Sequence, residues 1–110
     1  MKNIIFIGQS KNIIKSFPQD AKRNTGYQLD KIQNSKEPSD WKPINTIGTG
    51  VREIRIKDNK GIYRVVYISK FKRSIYVLHD FKKKTRKISK HDIDVAKTAY
   101  KIMSEIVKHE

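Results

Sequence analysis

The sequence predicts an α+β fold, with helices at both ends of the chain and a small antiparallel sheet between them. Three observations lead there. Apolar residues sit at helical spacing in two short N-terminal segments and again over residues 89–107. Between them, residues 51–57, 63–69 and 75–81 are rich in β-branched and aromatic side chains and are separated by turn sequences. The length, 110 residues, suits one domain spanning 1–110, in which roughly two-thirds of the unfolded chain's surface can be buried.

Each element has its own local argument. Residues 3–7, Asn-Ile-Ile-Phe-Ile, read as a short strand. Ser10 is the expected N-cap of a brief helix carrying Ile13, Ile14 and Phe17. Pro18 suits the first turn of a second helix, whose Ala21, Leu29 and Ile32 form a weak apolar face. Residues 35–50 hold Pro38, Pro43, Gly48 and Gly50 and read as a connecting loop, with Trp41 pinning it to the core. The links at residues 58–61 and 70–73 are too short for anything but an antiparallel meander. Ser89 opens the last helix, with Asp92 three residues on as the partner of a capping box. Ile93, Ala96, Tyr100, Met103 and Val107 form its core-facing stripe.

Composition removes several function classes. There is no cysteine, which excludes a disulfide scaffold, a zinc–thiolate site and a thiol nucleophile. No apolar run approaches the ~20 residues of a membrane span, and the N-terminus lacks a signal peptide's core and cleavage site, so a cytoplasmic setting without membrane contact is expected. The three histidines, His79, His91 and His109, are dispersed and accompanied by no carboxylate cluster, so neither a metal nor a small-molecule cofactor is expected. Gly48-Thr49-Gly50 is too short for a phosphate loop.

Charge points the other way, toward a polyanion. Lys and Arg number 25 against 11 Asp and Glu, a net charge of +14. The excess is concentrated: residues 52–90 hold 14 basic and 3 acidic side chains, whereas residues 91–110 hold 3 basic and 4 acidic. In the first long strand Glu53, Arg55 and Lys57 share one face, and Ile54 and Ile56 the other. In the second, Arg64 is set in Tyr63-Arg64-Val65-Val66-Tyr67, where a guanidinium needs a partner. A functional contact is the first reading of Arg64 and a structural ion pair, with Glu53 as a candidate, the second. The third strand leaves into Phe81-Lys82-Lys83-Lys84-Thr85-Arg86-Lys87. Together these elements could hold a phosphodiester backbone, and any exposed tyrosine or Phe81 could stack on unpaired bases. Arginine and lysine can also stabilise charge in metal-free RNA cleavage, where a lysine, Glu53, His79 or a tyrosine would move protons.

The ordered set Trp41, Gly50-Val51-Arg52-Glu53-Ile54-Arg55, Tyr63-Arg64-Val65-Val66-Tyr67, Leu78-His79-Asp80-Phe81-Lys82-Lys83-Lys84-Thr85 and Ala96 resembles the HigB/Gp49-like branch of the RelE/ParE toxin superfamily. The resemblance implies a RelE-like fold: two N-terminal helices, a small twisted antiparallel sheet of about four strands, and a C-terminal helix. It implies the toxin of a type II toxin–antitoxin pair, a ribosome-dependent, metal-independent mRNA endoribonuclease that inhibits translation. Arg55, Arg64, Lys82 and Lys83 match the basic site positions and are the expected catalytic residues. Lys57, Lys84, Arg86, Glu53, Tyr67 and His79 are the expected RNA-binding residues. The implied partners are the ribosome with its mRNA and an antitoxin of helix-turn-helix type, which would cover the basic face with acidic or apolar segments. Two other functions compete: a ParE-like toxin that poisons DNA gyrase without cutting RNA, and a non-enzymatic basic nucleic-acid-binding module.

Overall fold

The computed structural model describes residues 1–109. The chain runs β1 (Asn3–Phe6), α1 (Ser10–Lys15), α2 (Gln19–Gln33), β2 (Trp41–Pro43), β3 (Val51–Asp58), β4 (Gly61–Ile68), β5 (Ser74–Lys82) and α3 (Lys90–Lys108). The class is α+β, with the expected two N-terminal helices and C-terminal helix. The sheet departs from expectation in two ways. It has five strands in the order β1-β5-β4-β3-β2, and it is mixed, because β1 lies parallel to β5 while the other pairs are antiparallel.

The fifth strand, β2, falls inside the segment expected to be a loop. Pro43 disguised it, yet Pro43 sits at the sheet edge opposite Arg52, where a missing N–H costs no ladder bond on the open side. Trp41 does not reach either apolar layer as expected of an anchor; it is half-buried at the sheet edge, with the Arg52 guanidinium 3.9 Å from its ring centroid. Ser10 also corrects the expectation. It is the first residue of α1 and not its cap; it is buried, and its hydroxyl donates to the Val77 carbonyl at 3.2 Å, tying α1 to β5.

Two apolar layers sandwich the sheet. On one face Ile54, Ile56, Val65, Ile75 and Val77 pack with Phe17, Ala21, Leu29 and Ile32 of the N-terminal helical layer. On the other, Val51, Val66, Ile68, Tyr76 and Leu78 pack against Ala96, Ala99 and Met103 of α3. α2 ends in a Schellman arrangement: Lys36 N donates to the Lys31 carbonyl and Ser35 N to the Ile32 carbonyl, with Ser35 at φ 62 in place of the usual glycine.

One irregularity positions everything that follows. Tyr67 pairs with Val77 and Val66 with His79, so Leu78 is an extra residue in β5. The bulge reverses the side-chain alternation beyond it. His79, Phe81 and Lys83 are turned to the α3 face, while Asp80 and Lys82 are turned to the α2 face, opposite Val65 and Tyr63.

Candidate nucleic-acid interface

α3 covers only one end of its sheet face. At the other end the cross-strand register sets Lys42 of β2 opposite Glu53 and Arg55 of β3 opposite Arg64 of β4. Lys57 stands opposite Ile62 on the same face, and Lys83 extends the ladder by donating from its backbone N to the Ile62 carbonyl at 2.7 Å. Lys42, Arg55, Lys57, Arg64 and Lys83 thus share one face, with Glu53 as the carboxylate among them.

Arg64 lies at the floor. It and Glu53 are each 2% exposed, and Arg64 Nη1 donates to Glu53 Oε2 at 3.2 Å. Its Nη2 donates to the Arg86 carbonyl at 3.2 Å, so the segment after β5 crosses over it. The guanidinium expected from sequence to touch RNA is therefore held in a buried ion pair. Such a pair is costly to break from one side, because the remaining charge is left without a partner. Glu53 also faces Lys42 Nζ at 4.0 Å.

Above this floor the cations are accessible. Arg55 is half-buried, its Nε 4.0 Å from Asp40 Oδ2. Lys83 has a pKa below the ordinary lysine value, first because of partial burial and then because of Arg64, Arg55 and Lys42, with Glu53 opposing. A neutral amine is thus more available here than on an isolated lysine. An open cleft of about 540 Å³ lies between Asn45 and Thr46 on one side and Arg86 and Lys87 on the other, with Glu53 and Arg64 lining it.

The remaining expected residues scatter. Lys84 and Arg86 are exposed on the segment crossing over Arg64. Lys82, one residue from Lys83, is on the opposite face, its Nζ 6.0 Å from the Tyr63 ring centroid. Tyr67 is buried in the α2-side core beside Arg52; burial raises its pKa and Arg52 opposes. His79 is 8% exposed by its side chain, stacks on Phe81 at 5.4 Å, and donates Nε2–H to Asp92 Oδ1 at 2.8 Å. Asp92 also accepts from the Ser89 hydroxyl at 2.8 Å while Ser89 Oγ accepts from Asp92 N, so the expected capping box is present and extends to β5.

Two charged residues were missed. Lys42 was hidden in an apparent loop, and no local signal marks it. Asp80 was visible only as part of a motif, yet it is fully buried, both its oxygens lack a hydrogen-bond partner, and burial raises its pKa to about 8.

No curated protein matches the chain. A family model described as phage derived protein Gp49-like matches residues 12–101, which include the cationic face, the segment after β5 and most of α3. The chain belongs to this Gp49-like phage-derived family, a toxin–antitoxin toxin family of the RelE/HigB-type class.

Proposed function

We propose that this toxin is a metal-independent endoribonuclease that cuts mRNA in the ribosomal A site and so stops translation. The observation that carries the reading is the convergence of Lys42, Arg55, Arg64 and Lys83, from four strands or their extensions, on one face around a single carboxylate. RNA brings its own nucleophile. In cleavage the 2′-hydroxyl loses its proton and attacks phosphorus, the P–O5′ bond breaks, the leaving 5′-oxygen takes a proton from solvent, and a 2′,3′-cyclic phosphate and a 5′-hydroxyl result. Lys83, with its lowered pKa, is suited to take the proton. Arg55 and Lys42 are placed to neutralise charge building on the phosphoryl oxygens. Arg64 and Glu53 form the buried base that fixes their spacing. Lys57, Lys84 and Arg86, exposed or half-exposed around the face, suit flanking RNA backbone.

The test adds purified protein to a translating extract and maps mRNA 5′-ends. Cleavage is expected with the wild type, and a roughly 10²–10⁴-fold slower rate with Lys83→Met, the range for loss of a proton-transferring group. Intact mRNA in an extract that nonetheless stops translating refutes the nuclease reading. Early DNA breaks on induction, with translation unaffected, support the gyrase-poisoning reading instead. Cleavage of free RNA at the same rate removes the ribosome from the mechanism.

A further inference from the structure

Arg52 and Tyr67 stand opposite each other on β3 and β4, on the α2 face of the sheet and so on the reverse side from Arg55 and Arg64. Between them and the C-terminal end of α2 lies a cavity of about 150 Å³, lined also by Lys2, Lys36 and Glu37. It shares no residue with the cleft over Arg64. Three cations meet one carboxylate there. Arg52 Nη1 donates to Glu37 Oε2 at 2.9 Å, and its guanidinium lies over the Trp41 ring. Glu37 is 64% exposed on the segment between α2 and β2, and an exposed ion pair contributes little. Arg52 is thus held by Trp41, while its carboxylate partner can be exchanged. Lys2 Nζ donates to the Ser69 carbonyl, which keeps its ammonium beside the cavity. The Lys31 and Ile32 carbonyls at the end of α2 are taken by Lys36 N and Ser35 N. One buried donor completes the set. Tyr67 is fully buried, and its hydroxyl has no hydrogen-bond partner. Burial raises its pKa, Arg52 opposes and Glu37 adds to the rise, so the hydroxyl faces the cavity that those two residues line. A buried hydroxyl without a partner is rare in a folded protein and calls for one.

We infer that this cavity binds a small oxoanion, a phosphate carrying one substituent or none, with Arg52, Lys2, Lys36 and the Tyr67 hydroxyl as donors and Glu37 as a resident carboxylate that the phosphate displaces. Three features select that ligand. The guanidinium fork of Arg52 suits a carboxylate or a phosphate, and it already holds the first. Three cations around one displaceable carboxylate favour an anion over a neutral or cationic ligand. The volume of about 150 Å³ admits a four-oxygen anion, given the ~30 Å³ of liquid that one water takes, and leaves no room for a nucleoside beside it. A backbone phosphodiester, flanked by sugar on both sides, cannot bring its oxygens to the buried Tyr67 hydroxyl. The inference stands apart from the nuclease reading, because the cavity lies on the other sheet face and uses none of the groups assigned to cleavage.

The experiment titrates inorganic phosphate into the full chain at constant ionic strength, with chloride as the control, and follows the fluorescence of Trp41, the sole tryptophan, on which Arg52 stacks. A saturable change is expected with phosphate and none with chloride. Tyr67→Phe is expected to weaken binding about tenfold, the effect of one hydrogen bond to a charged group. It removes no hydrogen bond within the protein, so the variant should fold as the wild type does. Glu37→Gln is expected to tighten binding roughly twofold to fivefold by removing the competing carboxylate, which a purely structural Arg52–Glu37 pair would not do. Lys83→Met, on the other face, should bind phosphate as the wild type does. Glycerol 3-phosphate that competes makes the ligand a phosphomonoester, and glycerol 3-phosphate that does not makes it free phosphate. No saturable change, or one that neither Tyr67→Phe nor Glu37→Gln alters, overturns the site and leaves solvent as the partner of the Tyr67 hydroxyl. A change lost in Lys83→Met overturns it in favour of phosphate on the cationic face. A 5′-hydroxyl oligoribonucleotide, which offers only diester phosphates, overturns the assignment of the ligand if it binds tighter than phosphate and is weakened by Tyr67→Phe.

Discussion

Asp80→Asn should make the protein more stable, and by an amount that depends on pH. Asp80 is fully buried and neither oxygen has a hydrogen-bond partner, so burial lifts its pKa from 3.8 to about 8. The folded state therefore keeps a proton that the unfolded chain has released above about pH 4. For a carboxyl raised in this way, stability is full below the unfolded value and is lost as pH rises toward the folded value. Each pH unit between the two corresponds to about 1.4 kcal/mol. Over the roughly three units from the unfolded pKa to pH 7, the cost of keeping Asp80 is about 4 kcal/mol. An asparagine side chain matches protonated aspartic acid in shape and polarity and carries no titration. The gain from Asp80→Asn should thus be near zero at about pH 4, grow by about 1.4 kcal/mol per unit, and level off above about pH 8. Urea unfolding followed by the fluorescence of Trp41, the sole tryptophan, at several pH values between about 4 and 9 measures it. A difference that does not vary with pH, or a substitution that destabilises at pH 7, refutes the reasoning.

Arg64→Ala should destabilise by about 3–5 kcal/mol by stranding the buried Glu53 carboxylate, whereas the double change Arg64→Met with Glu53→Leu should fold nearly as well as wild type; urea midpoints compare them. Loss of activity in Arg64→Ala alone therefore says little about catalysis, and Lys83→Met is the cleaner probe. The cleavage rate of the wild type should rise with pH through a limb that lies below an ordinary lysine's, because Lys83 must be neutral to accept a proton; single-turnover rates should show that limb vanish in Lys83→Met. Ser89→Ala should cost about 1 kcal/mol by removing the cap of α3, read as a lower melting temperature. Ser35→Gly should raise the melting temperature by relieving the left-handed backbone at the end of α2, an effect of about 1 kcal/mol.

Much of the architecture was legible along the chain because it rests on local chemistry. The period-two alternation of β3, the turn at residues 58–61 and the Ser89–Asp92 cap each depend on residues a few positions apart, and each is present. The parallel pairing of β1 with β5 joins residues some seventy positions apart, and no local pattern reports it. β2 was obscured because its stability comes from pairing with β3 and from Trp41 packing, not from its own three residues. The shared face of Glu53, Arg55 and Lys57 was also readable, since side-chain alternation in a regular strand needs only the sequence.

What the sequence by itself determined is the inventory: an α+β chain with its basic charge gathered in residues 52–90, and an arginine inside an apolar strand that has to be paired. What only the tertiary structure decided is which of those charges meet. A regular β5 would have turned Asp80 and Lys82 to the cationic face and His79 and Lys83 away from it. The extra residue at Leu78 reverses this, so that Lys83 joins Arg55, Lys42 and the buried Arg64–Glu53 pair, and Asp80 is left in apolar surroundings. Bulges arise from how two strands twist and pack against the layers on either side, and alternation within one strand carries no record of that.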